Sequence, residues 1–227
     1  MRVVRDPLDS AHSPHGLSLE QAIALDSASG EIAMSVAMEE GPRRHRITVD
    51  EFYRMAEAGL FAPDARVELI DGEIIEMPPI GDRHHAGVDR LTRLLVFAVG
   101  ERAIVRCQGS VQLGDLSSPQ PDFVLLTERE NFYADRRAQA HDTLLAVEVS
   151  DSSLHYDLKT KMALYARHAI PEYWVLDVQG SDVHRLHVFR NPAGNGYEER
   201  LSIEKGPAVL PIPGLAGVTV DLSSIFR

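Results

Sequence analysis

A single cysteine, Cys107, stands in 227 residues. It excludes an intramolecular disulfide and any zinc site built from cysteine thiolates. No apolar run reaches the roughly 18 residues that a membrane-spanning helix needs. The first residues are acidic and lack a continuous apolar core, which argues against a signal or transit peptide, so the expected location is the cytoplasm. Positive charge is also scarce: 23 Lys and Arg face 34 Asp and Glu, a net −11 at pH 7. That is the wrong sign for binding nucleic acid through bulk electrostatics, although a local basic groove is compatible with it. What remains, 44% apolar and 25% charged, is the composition of an ordinary globular protein.

Residues 1–42 differ from the rest. They hold two basic and seven acidic residues, no aromatics, and Pro7, Pro14 and Gly16. They read as a disordered or loosely packed extension, with a short helix expected at Leu17–Ala24 or Ile32–Met38. Subtracting the extension's −5 from the total of −11 leaves −6 on residues 43–227, the expected folded domain. The basic run Arg43-Arg44-His45-Arg46 reads as solvated surface.

Thr48 with Glu51 three residues on predicts a capping box, followed by a helix with Phe52, Met55 and Ala56 on one face. Two alternating runs flank Asp71-Gly72, a strong hairpin signal because a tight primed turn needs positive φ at both central residues. Val88, Leu91, Leu95 and Val99 predict a helix from Arg83 to about Val99, closed by Gly100. Short strands are expected at Ala103–Cys107, Ser110–Leu113 and Phe123–Leu126, with a polar connection over Asn131–Asp142. The apolar run Leu144–Val147 predicts a buried strand ended by Glu148. Leu158, Met162 and Tyr165 mark one face of the next helix, and His168 to Pro171 its exit. Glu172–Asp177 is a further strand, so the segment is a βαβ crossover with parallel strands. Val183–Arg190 should pair with Tyr197–Ile203, before a last strand at Val218–Val220 and a helical turn at Leu222–Phe226. The fold class is α/β, a mixed β-sheet flanked by helices.

Four side chains stand out by position. Asp122 opens a buried strand directly after a proline, Glu148 ends a neighbouring one, Glu68 sits in the hairpin, and Lys161 lies in the helix that leaves the strand of Glu148. If the two strands are adjacent, Asp122 and Glu148 lie within about 5–8 Å of each other. Two carboxylates and a backbone carbonyl suit Mg²⁺ or Mn²⁺, which keep most of their waters. A lysine nearby can orient a water or stabilise charge on a phosphoryl oxygen. Each residue also has an ordinary reading. Asp122 caps a turn. Glu68 points outward from its strand. Asp157, four residues before Lys161, suits a helical ion pair. Tyr165 and Trp174 are core, Lys159 is solvated, and His84-His85, adjacent on a helix, read as surface.

The stretches "VELIDGEIIEMPP" from Val67, "PDFVLL" from Pro121, "LLAVEVSDSS" from Leu144 and "YDLKTKMALYARHAIPEYWVLD" from Tyr156 resemble the bacterial Uma family of restriction endonucleases, within the PD-(D/E)XK nuclease superfamily. The resemblance covers about Thr48 to Phe226 and implies a restriction-endonuclease-like fold. By that likeness Pro121-Asp122 matches the metal-binding "PD", and Glu148 the acidic residue of the second half-motif. Ser150 stands where a lysine is usual, and Lys161 matches the family's lysine on the following helix. Glu68 resembles an additional acidic residue of the site, and His84 a family histidine of unassigned role. The implied activity is endonucleolytic hydrolysis of DNA with Mg²⁺ or Mn²⁺ on Asp122, Glu148 and the Val149 carbonyl; because cutting two strands is naturally done by paired sites, a homodimer or higher homo-oligomer is the expected assembly. Two other readings stand beside it: a non-catalytic oligomeric protein that keeps the fold, favoured by the acidic charge, and hydrolysis of a small phosphorylated molecule.

Overall fold

A sheet whose central strands are apolar on both faces must be covered on both, and the architecture follows from that requirement. The structure, a computed structural model, describes residues 42–180 and 184–226. Nearly all of the expected N-terminal extension, and Val183, lie outside the described residues. Among those described, no helix is long and apolar enough to cross a membrane.

Thr48 caps helix α1 (Val49–Glu57) through the expected box: its hydroxyl accepts the Glu51 N–H, and the Glu51 carboxylate accepts the Thr48 N–H at 2.8 Å. Strands β1 (Val67–Ile70) and β2 (Glu73–Glu76) form the hairpin, with Ile70 opposite Glu73. Asp71 and Gly72 take φ of 51° and 78°, as a type I′ turn demands. The 115–118 loop holds this hairpin: Ser118 donates its N–H to the Leu69 carbonyl, and Gly72 its N–H to that of Leu116, both at 2.7 Å. The expected strand at Ser110–Leu113 is reduced to isolated bridges from Gln112 and Leu113.

Helix α2 (Asp82–Val99) precedes six strands in spatial order β3 (Ala103–Cys107), β4 (Phe123–Thr127), β5 (Thr143–Ser150), β6 (Glu172–Asp177), β7 (Arg185–Ala193) and β8 (Gly196–Ile203). Only β5 and β6 are parallel, joined by helix α3 over residues 154–167, as the crossover predicts. A separate ribbon pairs β9 (Val209–Pro211), which was not anticipated, with β10 (Thr219–Asp221). The expected helical turn is a 3₁₀ turn at Ser223–Phe226.

Alternation along the strands sorts the core. Leu145, Val147 and Val149 of β5, with Trp174 and Leu176 of β6, pack with Val88, Leu91, Leu95 and Val99 of α2. Ala146, Tyr173 and Val175 pack with Met162, Leu164 and Tyr165 of α3. Strand β5 runs on past Glu148 to Ser150, so Glu148 is not a strand-end residue: it faces the α3 side inside the sheet.

At Gly87 α2 lies tight against β5: a Cβ there would lie 2.7 Å from Val149 Cγ1. Gly87→Ala should therefore cost about 1–3 kcal/mol by overpacking, partly offset by better helix propensity. Urea unfolding at neutral pH measures it. A more stable variant would show that the helix can lift from the sheet without penalty.

Candidate active site

Phe123 stands opposite Val147 across the β4–β5 ladder. Extending that register by one residue places Asp122 opposite Glu148, and side chains so opposed share a face with Cβ atoms about 4.5–5.5 Å apart. Both are buried. Asp122 Oδ2 accepts the Val149 N–H at 2.8 Å, continuing the ladder where β4 ends. A strand residue turns its N–H and C=O to the same edge, so the Val149 carbonyl also faces the Asp122 side. His84 Nε2 lies 3.0 Å from the same oxygen, and since a carboxylate only accepts, the histidine donates.

Lys161 is 1% exposed and reaches back from α3 to the sheet. Its Nζ donates to Glu148 Oε1 at 2.9 Å and to Glu68 Oε1 at 3.0 Å. The Tyr165 hydroxyl donates to Glu148 Oε1 at 3.1 Å. Helix α3 has the means to aim this lysine. Residues Asp157–Lys161 form a π-helical turn, closed by Met162 N–H donating to the Asp157 carbonyl. The wider turn changes which side chains lie above one another, and such turns are frequent at functional sites. Asp157 instead accepts hydroxyl hydrogen bonds from Ser150 and Ser153, both at 2.6 Å.

These groups line one cavity of about 40 Å³, with Glu68, His84, Asp122, Glu148, Asp157 and Lys161 in its wall. A water needs about 10–15 Å³ on this scale, so the space takes a few small polar occupants. Five carboxylates, Asp151 being the fifth, face Lys161 and Arg66 there, a formal −3 with His84 neutral. Glu68 Oε2 and Asp157 Oδ1 are buried with no hydrogen-bond partner. Carboxylate excess and orphaned oxygens are what a hard cation would satisfy. Among the described residues, no three acidic or imidazole groups converge as a ready-made metal cage. A metal here would rest on two carboxylates, a carbonyl and its own waters, a set that fits Mg²⁺ or Mn²⁺.

A family model named Uma2, described as "Putative restriction endonuclease", matches residues 49–223. The chain belongs to the Uma2 family. Among solved structures it is similar to one from Anabaena variabilis described as "a putative nuclease belonging to DUF820". The TM-score is 0.56 and the identity 20%, over 74% of this chain and 89% of that one, a likeness of fold. No curated protein matches the chain.

Within this Uma2 domain the structure brings Asp122, Glu148, Glu68 and Lys161 together as expected, and corrects several neighbours. His84 is not a surface residue: it is buried against Asp122, while His85 is exposed. Its position one turn before Gly87 on the packed face of α2 is the signal that spacing alone did not weigh. Tyr165 is core and site at once. Asp157 forms no ion pair with Lys161; its Oδ2 accepts from two serine hydroxyls instead. Lys159 is exposed and Trp174 buried, as read.

Burial pushes the Glu148 carboxyl well above the ordinary range; Lys161 opposes this, and Asp157, Asp122 and Glu68 push it further up. Burial works against the charge on Lys161, but Glu148, Glu68 and Asp157 outweigh it and hold the ammonium protonated. Burial, then the charge of Glu68, raises the Tyr156 hydroxyl to about 12. A carboxyl with a raised folded pKa stabilises the fold fully below its unfolded pKa, and that contribution is lost as pH rises through the folded value. Removing Lys161 raises Glu148 further and widens this window. In metal-free buffer, Lys161→Met should cost about 3–5 kcal/mol near neutral pH, where carboxylates are left buried and uncompensated. The loss should shrink toward about pH 5, as Glu148 takes up a proton more readily folded than unfolded. Urea unfolding across that range measures it; a pH-independent loss would mean that packing, not charge, is what Lys161 supplies.

Proposed function

We propose that this Uma2 protein is a divalent-metal-dependent endonuclease that hydrolyses phosphodiester bonds of DNA. The observation that carries the reading is Lys161 bound to Glu148 directly beside Asp122, in a cavity with three uncompensated negative charges. The family description and the similar nuclease structure support a nuclease; the metal and the substrate are our inference from the donor set.

Asp122, Glu148 and the Val149 carbonyl would hold Mg²⁺ or Mn²⁺, which supplies an activated water and polarises the scissile phosphate. His84 fixes the rotamer of Asp122 through its Nε2 hydrogen bond. Tyr165 and Lys161 together fix Glu148 Oε1. Lys161 carries a permanent charge that can position a water or meet the developing charge on a phosphoryl oxygen. Glu68 anchors Lys161, and its free Oε2 can accept from a further water or serve a second ion. The start of α2 also lines the cavity, and Gly81 leaves the first-turn N–H groups without a side-chain cap, a disposition suited to phosphate. Cutting both strands of a duplex would call for two copies about a two-fold axis, so a cytoplasmic homodimer is the form we propose for that activity.

Calorimetric titration with Mn²⁺, wild type beside Asp122→Asn, tests the site. Binding is expected in the wild type and lost in the variant. Plasmid cleavage should fall about 100-fold or more in Lys161→Met. Absence of Mn²⁺ binding with or without an oligonucleotide would favour a non-catalytic protein on a nuclease-like fold. Cleavage that survives Asp122→Asn would place the chemistry elsewhere.

A further inference from the structure

The catalytic cavity does not end at Asp122. Gln120 lines it together with two adjoining concavities. The first, of about 320 Å³, includes Glu68 and Asp122 and extends to Gln108. The second, of about 500 Å³, extends beside α1 to Tyr53, Phe61, Ser110 and Ser118. Its volume lies in the range of small-molecule sites, about 300–1,000 Å³. No charged residue lines this second concavity.

Its walls combine aromatic surface with unspent amide groups. Phe61 is half-buried, its ring centroid 5.3 Å from that of Phe52. The Tyr53 hydroxyl is within hydrogen-bond distance of the Ser110 and Ser118 hydroxyls, and the Arg137 guanidinium lies 4.1 Å from its ring centroid, so Tyr53 is held in place. Gln120 and Gln108 are both exposed. Gln120 Nε2 donates to the Gln108 carbonyl, which fixes the amide and leaves Oε1 as an acceptor. Aromatic faces stack nucleobases, and side-chain amides hydrogen-bond base edges.

We propose that this groove is a nucleobase subsite: it takes an unpaired base of the DNA strand whose phosphate occupies the catalytic cavity. The inference rests on the nuclease reading and narrows its substrate to DNA with a single-stranded or extruded nucleotide at the cut. A base stacked and paired in a duplex cannot enter such a groove without being flipped out. The proposal also accounts for the acidic chain, net −11. Affinity drawn from stacking and amide hydrogen bonds in an uncharged groove needs few phosphate contacts, and its salt dependence is correspondingly shallow.

The test uses the full chain and a short fluorescein-labelled single strand beside its duplex. Binding is read by anisotropy in Ca²⁺ and cleavage by gel in Mn²⁺. Gln120→Glu puts a charge at the meeting of the three concavities, and Phe61→Leu keeps apolar packing against Phe52 while removing the stacking face. Each should weaken single-strand binding about fivefold or more, and Phe61→Leu, which lies outside the catalytic cavity, should leave duplex binding and the thermal melt unchanged. If wild type cleaves DNA but both variants bind the single strand as wild type does, the subsite is overturned and the nuclease reading stands. If wild type neither binds nor cleaves either DNA, both are overturned.

Discussion

A lysine ammonium buried to 1% exposure is the constraint on which the rest of this domain depends. Removing such a charge from water costs several kcal/mol even after relaxation, and only close, well-aimed anionic partners offset it. Lys161 has two, and they come from different parts of the chain: Glu68 from the hairpin and Glu148 from the central strand. Hairpin, strand and helix must therefore all be in place before the ammonium is satisfied. The hairpin is fixed on the 115–118 loop, and Arg167 of α3 forms an ion pair with Asp71 in its turn. These links hold Glu68 within reach of the helix.

The same ammonium does not neutralise its surroundings. Five carboxylates share the cavity with it and Arg66, and burial, then the charges of Asp157, Asp122 and Glu68, raise the proton affinity of Glu148. A raised proton affinity in a buried carboxylate and orphaned oxygens on Glu68 and Asp157 mark this cavity as the most electrostatically perturbed place described in the domain. In a structural ion pair the charges would balance and the oxygens would be paired; here Glu68 Oε2 and Asp157 Oδ1 have no partner.

The serine two residues after Glu148 has a local role. Ser150 donates its hydroxyl to Asp157. That bond and the one from Ser153 both occupy Oδ2 of the carboxylate four residues before Lys161. The π turn then changes the helical stacking, and the lysine meets Glu148 and Glu68 instead. A serine in the strand and a lysine in the helix thus belong to one arrangement.

Local chemistry was readable from the sequence alone. The capping box at Thr48, the Asp71-Gly72 turn, the α2 stripe, the two-faced apolar strands and the crossover are short-range patterns, and each is found close to where the pattern placed it. That Asp122 and Glu148 lie together was also legible, because a charge in an apolar strand is costly without a partner, whereas Glu68 and Lys161 were set beside them by family likeness. What only the tertiary structure decided was which partner each group met. Periodicity cannot show that His84 turns inward to Asp122, that the Tyr165 hydroxyl reaches Glu148, or that Lys161 passes over Asp157 for a carboxylate 93 positions away. The reach of a side chain across a sheet depends on register and helix geometry, and a π turn leaves no periodic mark in the sequence. The short β9 strand and the reduction of Ser110–Leu113 to bridges follow the same rule: pairing is settled by the neighbour across the gap, which the strand's own residues do not name.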